Sequence, residues 1–317
     1  MPTRARVIVL VFLLASLARP GAAFAHAGKG VVGVDGRAEL TSVPARGVEV
    51  KVIDRDQGLW ARVSPSTRLV VLGIIGEPFL RFDETGVWLN ERSPTARVDG
   101  FKDLLQPAFS RTASPHWRRV ARGRSYRWHD HRLHALAALG GNKSEVLGDW
   151  RVPVELDGRP TSIAGRFLYE PPPNLWLWLL PLGLGIVACA VALPRGRGAV
   201  ATTANIAAVI TVPAVLIARA GRDLWGRPFV PTFGLVSLAL ACALACASFY
   251  LIARSTARGR AVITLVIGTV GIYEGLALRA ALDHSFVLSA LPSDLERAAV
   301  AVALGAGVPA AILSVLE

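Results

Sequence analysis

Residues 171–194 read PPPNLWLWLLPLGLGIVACAVALP, and the chemistry of the chain changes across this stretch. The three prolines form a stiff spacer. The residues after them are apolar and uncharged over the roughly 20 positions that a helix needs to cross a bilayer. Trp176 and Trp178 begin this run, and tryptophan is enriched where a helix enters the membrane. The stretch therefore predicts a boundary between a domain ending at residue 173 and a membrane domain, residues 174–317.

The composition of the second half supports this division. Hydrophobic residues make up 52% of the 317 positions, more than is usual for a soluble domain, and the excess lies after residue 174. The lengths of the uncharged stretches predict about five transmembrane helices. They lie at 175–194, 199–218, 232–252, 261–281 and 298–315.

Arginines in two short loops predict the orientation of these helices. Arg195 and Arg197 separate the first two predicted spans, and Arg254, Arg258 and Arg260 separate the third and fourth. Short basic loops remain in the cytoplasm. The sequence thus predicts a multi-pass protein of the cell membrane, with the lipid bilayer as its solvent, its N-terminal domain extracytoplasmic and its C-terminus cytoplasmic.

The amino terminus has the three-part pattern of a secretory signal peptide. Arg4 and Arg6 precede an apolar run, 7–18, and small residues follow in Ala23-Phe24-Ala25. We expect residues 1–25 to be removed, which makes His26 the first residue of the mature protein. A second small-x-small triplet, 25–27, offers an alternative cleavage that would discard His26.

The exported half, 26–173, has the pattern of a β protein. Short alternating or β-branched runs are separated by turn residues such as Asp83-Glu84-Thr85-Gly86 and Asp157-Gly158. The runs are 48–53, 59–63, 68–75, 79–82, 87–89, 150–156 and 163–169. No convincing amphipathic helix interrupts them, and residues 90–124 are expected to form a long connection. The sequence predicts an all-β domain, an immunoglobulin-like antiparallel β-sandwich, joined to a C-terminal α-helical transmembrane bundle.

Three of the six histidines of the chain lie in one short segment. Residues 126–134 read Tyr-Arg-Trp-His-Asp-His-Arg-Leu-His. On an extended strand His129 and His131 share a face, whereas on a helix His131 and His134 do. Either backbone presents two imidazoles, which is half of a metal site. The alternative is a solvated polar loop.

Residues 149–159, Asp-Trp-Arg-Val-Pro-Val-Glu-Leu-Asp-Gly-Arg, followed by Gly-Arg-Phe at 165–167, resemble the closing hairpin of the CopC-like periplasmic copper-binding proteins. The resemblance extends to the His-Ala that begins the mature chain. It implies a small β-sandwich that holds copper through the N-terminal histidine and a histidine after the hairpin Asp-Gly. This chain has His26 at the first position and Arg159 at the second. The layout from Gly76 to Pro94 is also similar to uncharacterised bacterial membrane proteins.

Two hypotheses for function follow. The first is an extracytoplasmic metal-binding domain, with copper the expected ion and zinc the alternative, that passes metal to other membrane metal-handling proteins. Its ligands would be His26, His129, His131 and His134. The second is a noncatalytic scaffold or sensor that binds a protein partner.

Other functions have little support in the sequence. An enzyme is not expected, because no metalloprotease, nucleophile-elbow or phosphate-loop motif occurs in the sequence. The net charge of +12 does not indicate nucleic acid, since the arginines are dispersed. Cys189, Cys242 and Cys246 fall in predicted spans, so no disulfide is expected in the exported half.

One acidic residue stands out in the membrane half. Glu274 lies within the fourth predicted span, and a carboxylate at membrane depth is costly unless it is paired. Arg279, or Arg219 with Arg222, are the expected partners. Such an ion pair would either form part of a proton or ion path or hold two helices together through a polar contact.

Overall fold

The computed structural model of the chain describes residues 33–44, 47–53, 58–133, 142–225 and 232–316. They form two compact units. Asp35–Pro171 is the β unit; residues 33–34 and 172–316 form the helical unit. The expected signal peptide, 1–25, lies outside the described residues, and so do His26 and His134.

All strands pair in antiparallel fashion. In chain order they are β1 Gly33–Val34, β2 Gly36–Ser42, β3 Val48–Ile53, β4 Gly58–Val63, β5 Leu69–Leu72, β6 Pro78–Asp83, β7 Gly86–Asn90, β8 Trp117–Ala121, β9 Ser125–His129, β10 Glu145–Leu156, β11 Arg159–Tyr169 and β12 Phe286–Val287. The β unit contains a seven-stranded sheet, β2-β11-β10-β5-β6-β7-β8, and a three-stranded sheet, β3-β4-β9.

The core of the β unit receives side chains from both sheets. In β3, Val48 and Val50 are buried while Glu49 and Lys51 are exposed, which is the alternation that buries one face of a strand. The same core includes Leu59 of β4 and residues from six strands of the larger sheet. These are Ala38, Leu69, Val71, Phe79, Leu80, Phe82, Val87, Leu89, Trp150, Val152, Val154 and Ile163.

The predicted turn at Asp157-Gly158 joins β10 to β11. Leu156 pairs with Arg159 across it, so the hairpin has a two-residue loop. Both loop residues have positive φ, 51° at Asp157 and 78° at Gly158. This backbone matches the twist of the strands, and Asp-Gly is among the pairs that adopt it most readily.

The structure confirms antiparallel β-structure before the helices but does not confirm an immunoglobulin-like arrangement, because seven strands lie in one sheet and three in the other. The long connection expected at 90–124 contains a helix, α1 Pro94–Val98, and strand β8. Ser93 caps the helix by accepting a hydrogen bond from the Ala96 amide. The sequence does not predict β8. This edge strand has no buried residue, and its sequence therefore lacks a clear hydrophobic period.

The remaining helices belong to the helical unit. They are α2 Leu175–Trp178, α3 Leu180–Ala192, α4 Arg197–Asp223, α5 Thr232–Arg254, α6 Ala257–Ala277, α7 Ala280–Asp283 and α8 Ser293–Leu316. Among the described residues, four helices are long and apolar enough to cross a membrane: α4, α5, α6 and α8.

Five membrane-crossing helices are therefore not confirmed. The first predicted span divides into the one-turn α2 and the 13-residue α3. A helix of 13 residues is about 20 Å long, whereas the hydrocarbon core is about 30 Å thick.

Small residues allow the long helices to approach closely. A Cβ atom at Gly268 of α6 would lie 2.3 Å from the Ala311 nitrogen of α8. One at Gly305 of α8 would lie 2.4 Å from the carbonyl carbon of Pro181 in α3. Close backbone contact of this kind is a main source of helix association in membranes, where lipid removes the hydrophobic driving force between helices.

Candidate functional site

The histidine segment changes from strand to tight turn at Asp130. β9 ends at His129, and a single 3-10 turn covers His131–Leu133. The Asp130 side chain is 1% exposed and accepts hydrogen bonds from the Trp128 indole at 3.1 Å and the Arg132 amide at 3.1 Å. A carboxylate that accepts from an amide two residues later stabilises a turn in place of a continued strand.

Arg132 fixes this turn to the larger sheet. Its guanidinium donates to both oxygens of Asp130, each at 2.8 Å, and to the carbonyl of Leu72 at 2.8 Å. The buried ion pair is thus bidentate, the arrangement that holds a carboxylate most firmly. As a result, the two histidines that flank Asp130 have a defined position.

The rings of His129 and His131 lie against each other. Their centroids are 4.5 Å apart and their planes are at 83°, an edge-to-face contact. The sequence is compatible with a strand through residue 131 or a helix over 131–134, whereas the structure has the end of a strand followed by a turn. The turn nevertheless brings these two imidazoles together.

Asp99 holds the ring of His131. The Nδ1 atom of His131 and Oδ1 of Asp99 are 2.6 Å apart, and the Asp99 side chain has no exposed surface. Burial raises the pKa of Asp99 from 3.8 to about 6, opposed by the hydrogen bond with His131; the nearby charge of Asp130 also raises the pKa. Since Nδ1 is engaged, Nε2 is the nitrogen through which His131 would bind a metal.

A second buried carboxylate positions Asp99. Asp99 follows α1, whose first turn is attached to Glu77. The Ser93 and Thr95 hydroxyls each donate to Oε1 of Glu77 at 2.7 Å, and the Thr95 amide donates to it at 3.2 Å. Glu77 is 2% exposed and also accepts from the Ile75 amide at 3.2 Å. The chain of contacts from Glu77 through α1 to Asp99 therefore orients His131.

Of the four residues expected to bind metal, the structure brings His129 and His131 together and does not describe His26 and His134. Within the described ranges, no group of three or more His, Cys, Asp or Glu side chains is arranged to hold a metal ion. His116 lies elsewhere, with Nδ1 2.8 Å from Glu91. Sequence reasoning missed Asp99 because it assigned residues 90–124 to a connection. Ser93-Pro94, a helix-start signal, was the available clue.

The helical unit contains a separate polar cluster, which confirms that Glu274 is paired. Glu274 is 3% exposed; Arg219 donates to its Oε1 at 2.8 Å and Arg222 to its Oε2 at 3.0 Å. Arg219 also donates to the Ser237 hydroxyl at 3.0 Å, and Arg222 to Asp223 at 2.9 Å. The cluster ties α4, α5 and α6 together at one end of the unit.

No protein family, curated protein or solved structure matches the chain.

Proposed function

We propose that the protein is a multi-pass protein of the bacterial cell membrane whose β unit lies outside the cytoplasm and captures Cu(II), with Zn(II) as the alternative ion. The observation that supports metal capture is the buried Asp99 on Nδ1 of His131, with the His129 ring at 4.5 Å. Metal-binding histidines almost always have their second nitrogen held by such an acceptor, which fixes the tautomer and the ring orientation.

Copper is the favoured ion because the donors are imidazole nitrogens. Among divalent first-row ions Cu(II) binds such nitrogens most strongly. The two rings supply two nitrogen donors. We propose that the amine and imidazole of a mature N-terminal His26, and the imidazole of His134, supply the remaining donors. Captured metal would then pass to other metal-handling proteins of the membrane.

The proposed orientation follows from the loops between the helices. Four apolar helices are compatible with a multi-pass protein, and we propose that α2 and α3 together, over residues 175–194, add a fifth crossing. The basic loops at 195–197 and 254–260 would be cytoplasmic, and so would the C-terminus. This topology places the β unit on the outer side, where periplasmic metal is available.

Copper titration of the full-length protein in detergent tests the metal proposal. We expect His129→Ala and His131→Ala each to weaken Cu(II) binding measured by calorimetry, with loss of nitrogen hyperfine coupling in the electron paramagnetic resonance spectrum. Asp99→Asn should weaken it by about 10–100-fold, the usual effect of removing an orienting acceptor. One extra residue before His26 should weaken it separately.

His116→Ala is the matched control. The Nδ1 atom of His116 also contacts a carboxylate, that of Glu91, but the His116 side chain is 58% exposed and is not part of the proposed site. This variant should bind Cu(II) as the wild type does. The copper proposal is wrong if the wild type and all variants bind Cu(II) with the same weak affinity. It is also wrong if His116→Ala reduces the affinity as much as His131→Ala does. The noncatalytic scaffold then becomes the better proposal.

Cysteine labelling in intact cells tests the orientation separately. The exposed Cys242 and Cys246 are first replaced by alanine. We expect an impermeant thiol reagent to label Glu84→Cys in intact cells and Arg258→Cys only after lysis. The reverse pattern would place the β unit in the cytoplasm and overturn the proposed localisation.

A further inference from the structure

Glu296 is a buried carboxyl group in the first turn of α8. It is 1% exposed, and its Oε2 accepts a hydrogen bond at 3.0 Å from the hydroxyl of Ser289, which is itself 5% exposed. The group lies against the backbone of α4, because a Cβ atom at Gly221 would be only 2.0 Å from the same oxygen. Solvent and a bulky counter-ion are thus kept away from this oxygen.

The charged groups on the elements packed around Glu296 neutralise one another. Arg219 and Arg222 of α4 are paired with Glu274 of α6 and Asp223 of α4, two cations with two anions. Arg222 is the cation whose charge acts on Glu296, but its Nε donates to Asp223 and its Nη1 donates to Glu274.

Arg297, next in sequence, is also fully engaged. It donates to Asp294 at 2.8 Å and, through its other nitrogens, to carbonyls of residues 281, 284 and 285. Asp283 and His284 form a pair with each other at 3.8 Å, and Arg279 is exposed. The sequences of α3 and β12 contain no charged residue. Among the charged groups that the structure describes around it, an ionised Glu296 would therefore be the surplus charge.

We propose that Glu296 is a proton-binding site of the helical unit, held as the neutral acid while Arg219 and Arg222 are balanced by Glu274 and Asp223. An uncompensated carboxylate in a buried, apolar setting is more costly than its protonated form. The acid oxygen that carries the proton is then a donor, while Oε2 accepts from Ser289. Release of the proton to water leaves the cluster with one negative charge in excess, so proton binding is coupled to the ion pairs that join α4 and α6.

Infrared spectroscopy of the full-length protein in detergent tests this assignment. At neutral pH we expect a carboxylic-acid carbonyl band that shifts in D2O and is lost in Glu296→Gln. Ser289→Ala removes a hydrogen bond to the acid and should shift the band without abolishing it. This second variant keeps the assignment testable if Glu296→Gln does not fold.

Removal of an anion from the cluster should change the protonation of Glu296. Asp223→Asn removes one anion from the cluster, so an ionised Glu296 would then balance the two arginines, and the band should be lost at neutral pH. Asp283→Asn, at a side chain that is 52% exposed, is the matched control and should retain the band. Three results would overturn the proposal. The first is a wild-type band that neither Glu296→Gln nor Ser289→Ala changes, the second is the absence of such a band at neutral pH, and the third is a band that persists in Asp223→Asn.

Discussion

Oε1 of Glu77 occupies the space that a side chain at Gly73 would need: a Cβ atom there would lie 2.1 Å from this oxygen and 2.3 Å from the Thr95 hydroxyl. The Gly73 amide donates to the Glu77 carbonyl at 2.7 Å, which closes the turn over the carboxylate. A glycine is thus required where the turn between β5 and β6 contacts the residue that positions α1.

Gly73→Ala should destabilise the β unit by about 1–3 kcal/mol, because the added methyl group displaces a buried, hydrogen-bonded carboxylate. Pulse proteolysis of the full-length protein in urea would measure the change. Gly123→Ala is the control, since a Cβ atom there meets nothing within 4 Å. Equal stability of the two variants would show that Glu77 has room to move.

Asp99 should make the metal-free β unit less stable as pH rises from about 4 to about 6. Its pKa is raised to about 6 in the folded state, so the folded protein binds more protons than the unfolded chain in this window. The stabilising contribution is complete below the unfolded pKa and is lost as pH approaches 6. Asp99→Asn should remove this decline, on the order of 2 kcal/mol, in urea titrations followed by pulse proteolysis.

Asp83 gives the contrasting pH dependence. Burial alone would raise its pKa, but hydrogen bonds from Thr85 and the charge of Arg81 outweigh burial and lower it. Its contribution to stability is therefore present above the unfolded pKa and is lost as pH falls through the folded one. Asp83→Asn should remove stability at neutral pH and leave the Asp99 decline in place. If the loss of stability between about pH 4 and pH 6 persists in Asp99→Asn, a group other than Asp99 causes it.

Gly268→Ala should lower the thermal stability of the helical unit in detergent, because its methyl group would overlap the backbone of α8 at Ala311. Gly183→Ala in α3 is matched to it: both positions are helical, but a Cβ atom at Gly183 meets nothing within 4 Å. Alanine there should be neutral or stabilising by up to about 1 kcal/mol. A stable Gly268→Ala variant would mean that α6 and α8 separate easily.

Glu274→Gln should destabilise the helical unit by about 1–3 kcal/mol, because it leaves two arginines with less compensation. The figure is reduced because Arg219 and Arg222 remain 26% and 33% exposed. Thermal unfolding in detergent measures the loss, and the exposed Asp283→Asn serves as control. If Glu274→Gln unfolds at the same temperature as the wild type, the ion pairs of Glu274 do not stabilise the helical unit.

Local patterns in the sequence predicted much of the fold. The alternation in 48–53, the Asp157-Gly158 hairpin and the uncharged stretches of α4, α5, α6 and α8 depend only on neighbouring residues. The division of strands between two sheets does not, because it is decided by pairings such as Glu39 with Arg166, far apart in the chain. The span predicted at 175–194 divides into α2 and α3, because a hydropathy pattern does not show where one helix ends and the next begins.

The candidate site was predicted only in part for the same reason. The spacing of His129 and His131 indicated an adjacent pair of rings. Asp99 and Glu77 hold that pair through contacts 32 and 18 residues apart in sequence, and no short motif contains both ends of such a contact. Glu274 was more accessible to sequence reasoning, since the cost of a buried charge requires a partner whatever the topology.

The two-residue ladder between β1 and β12, with Gly33 opposite Val287, affects the order in which the protein can assemble. The β unit is one uninterrupted stretch of chain, Asp35–Pro171, so it can fold while the helices are still being synthesised. β1 is made first but must wait for β12, which emerges just before α8. The first described strand of the protein is therefore among the last to acquire its partner.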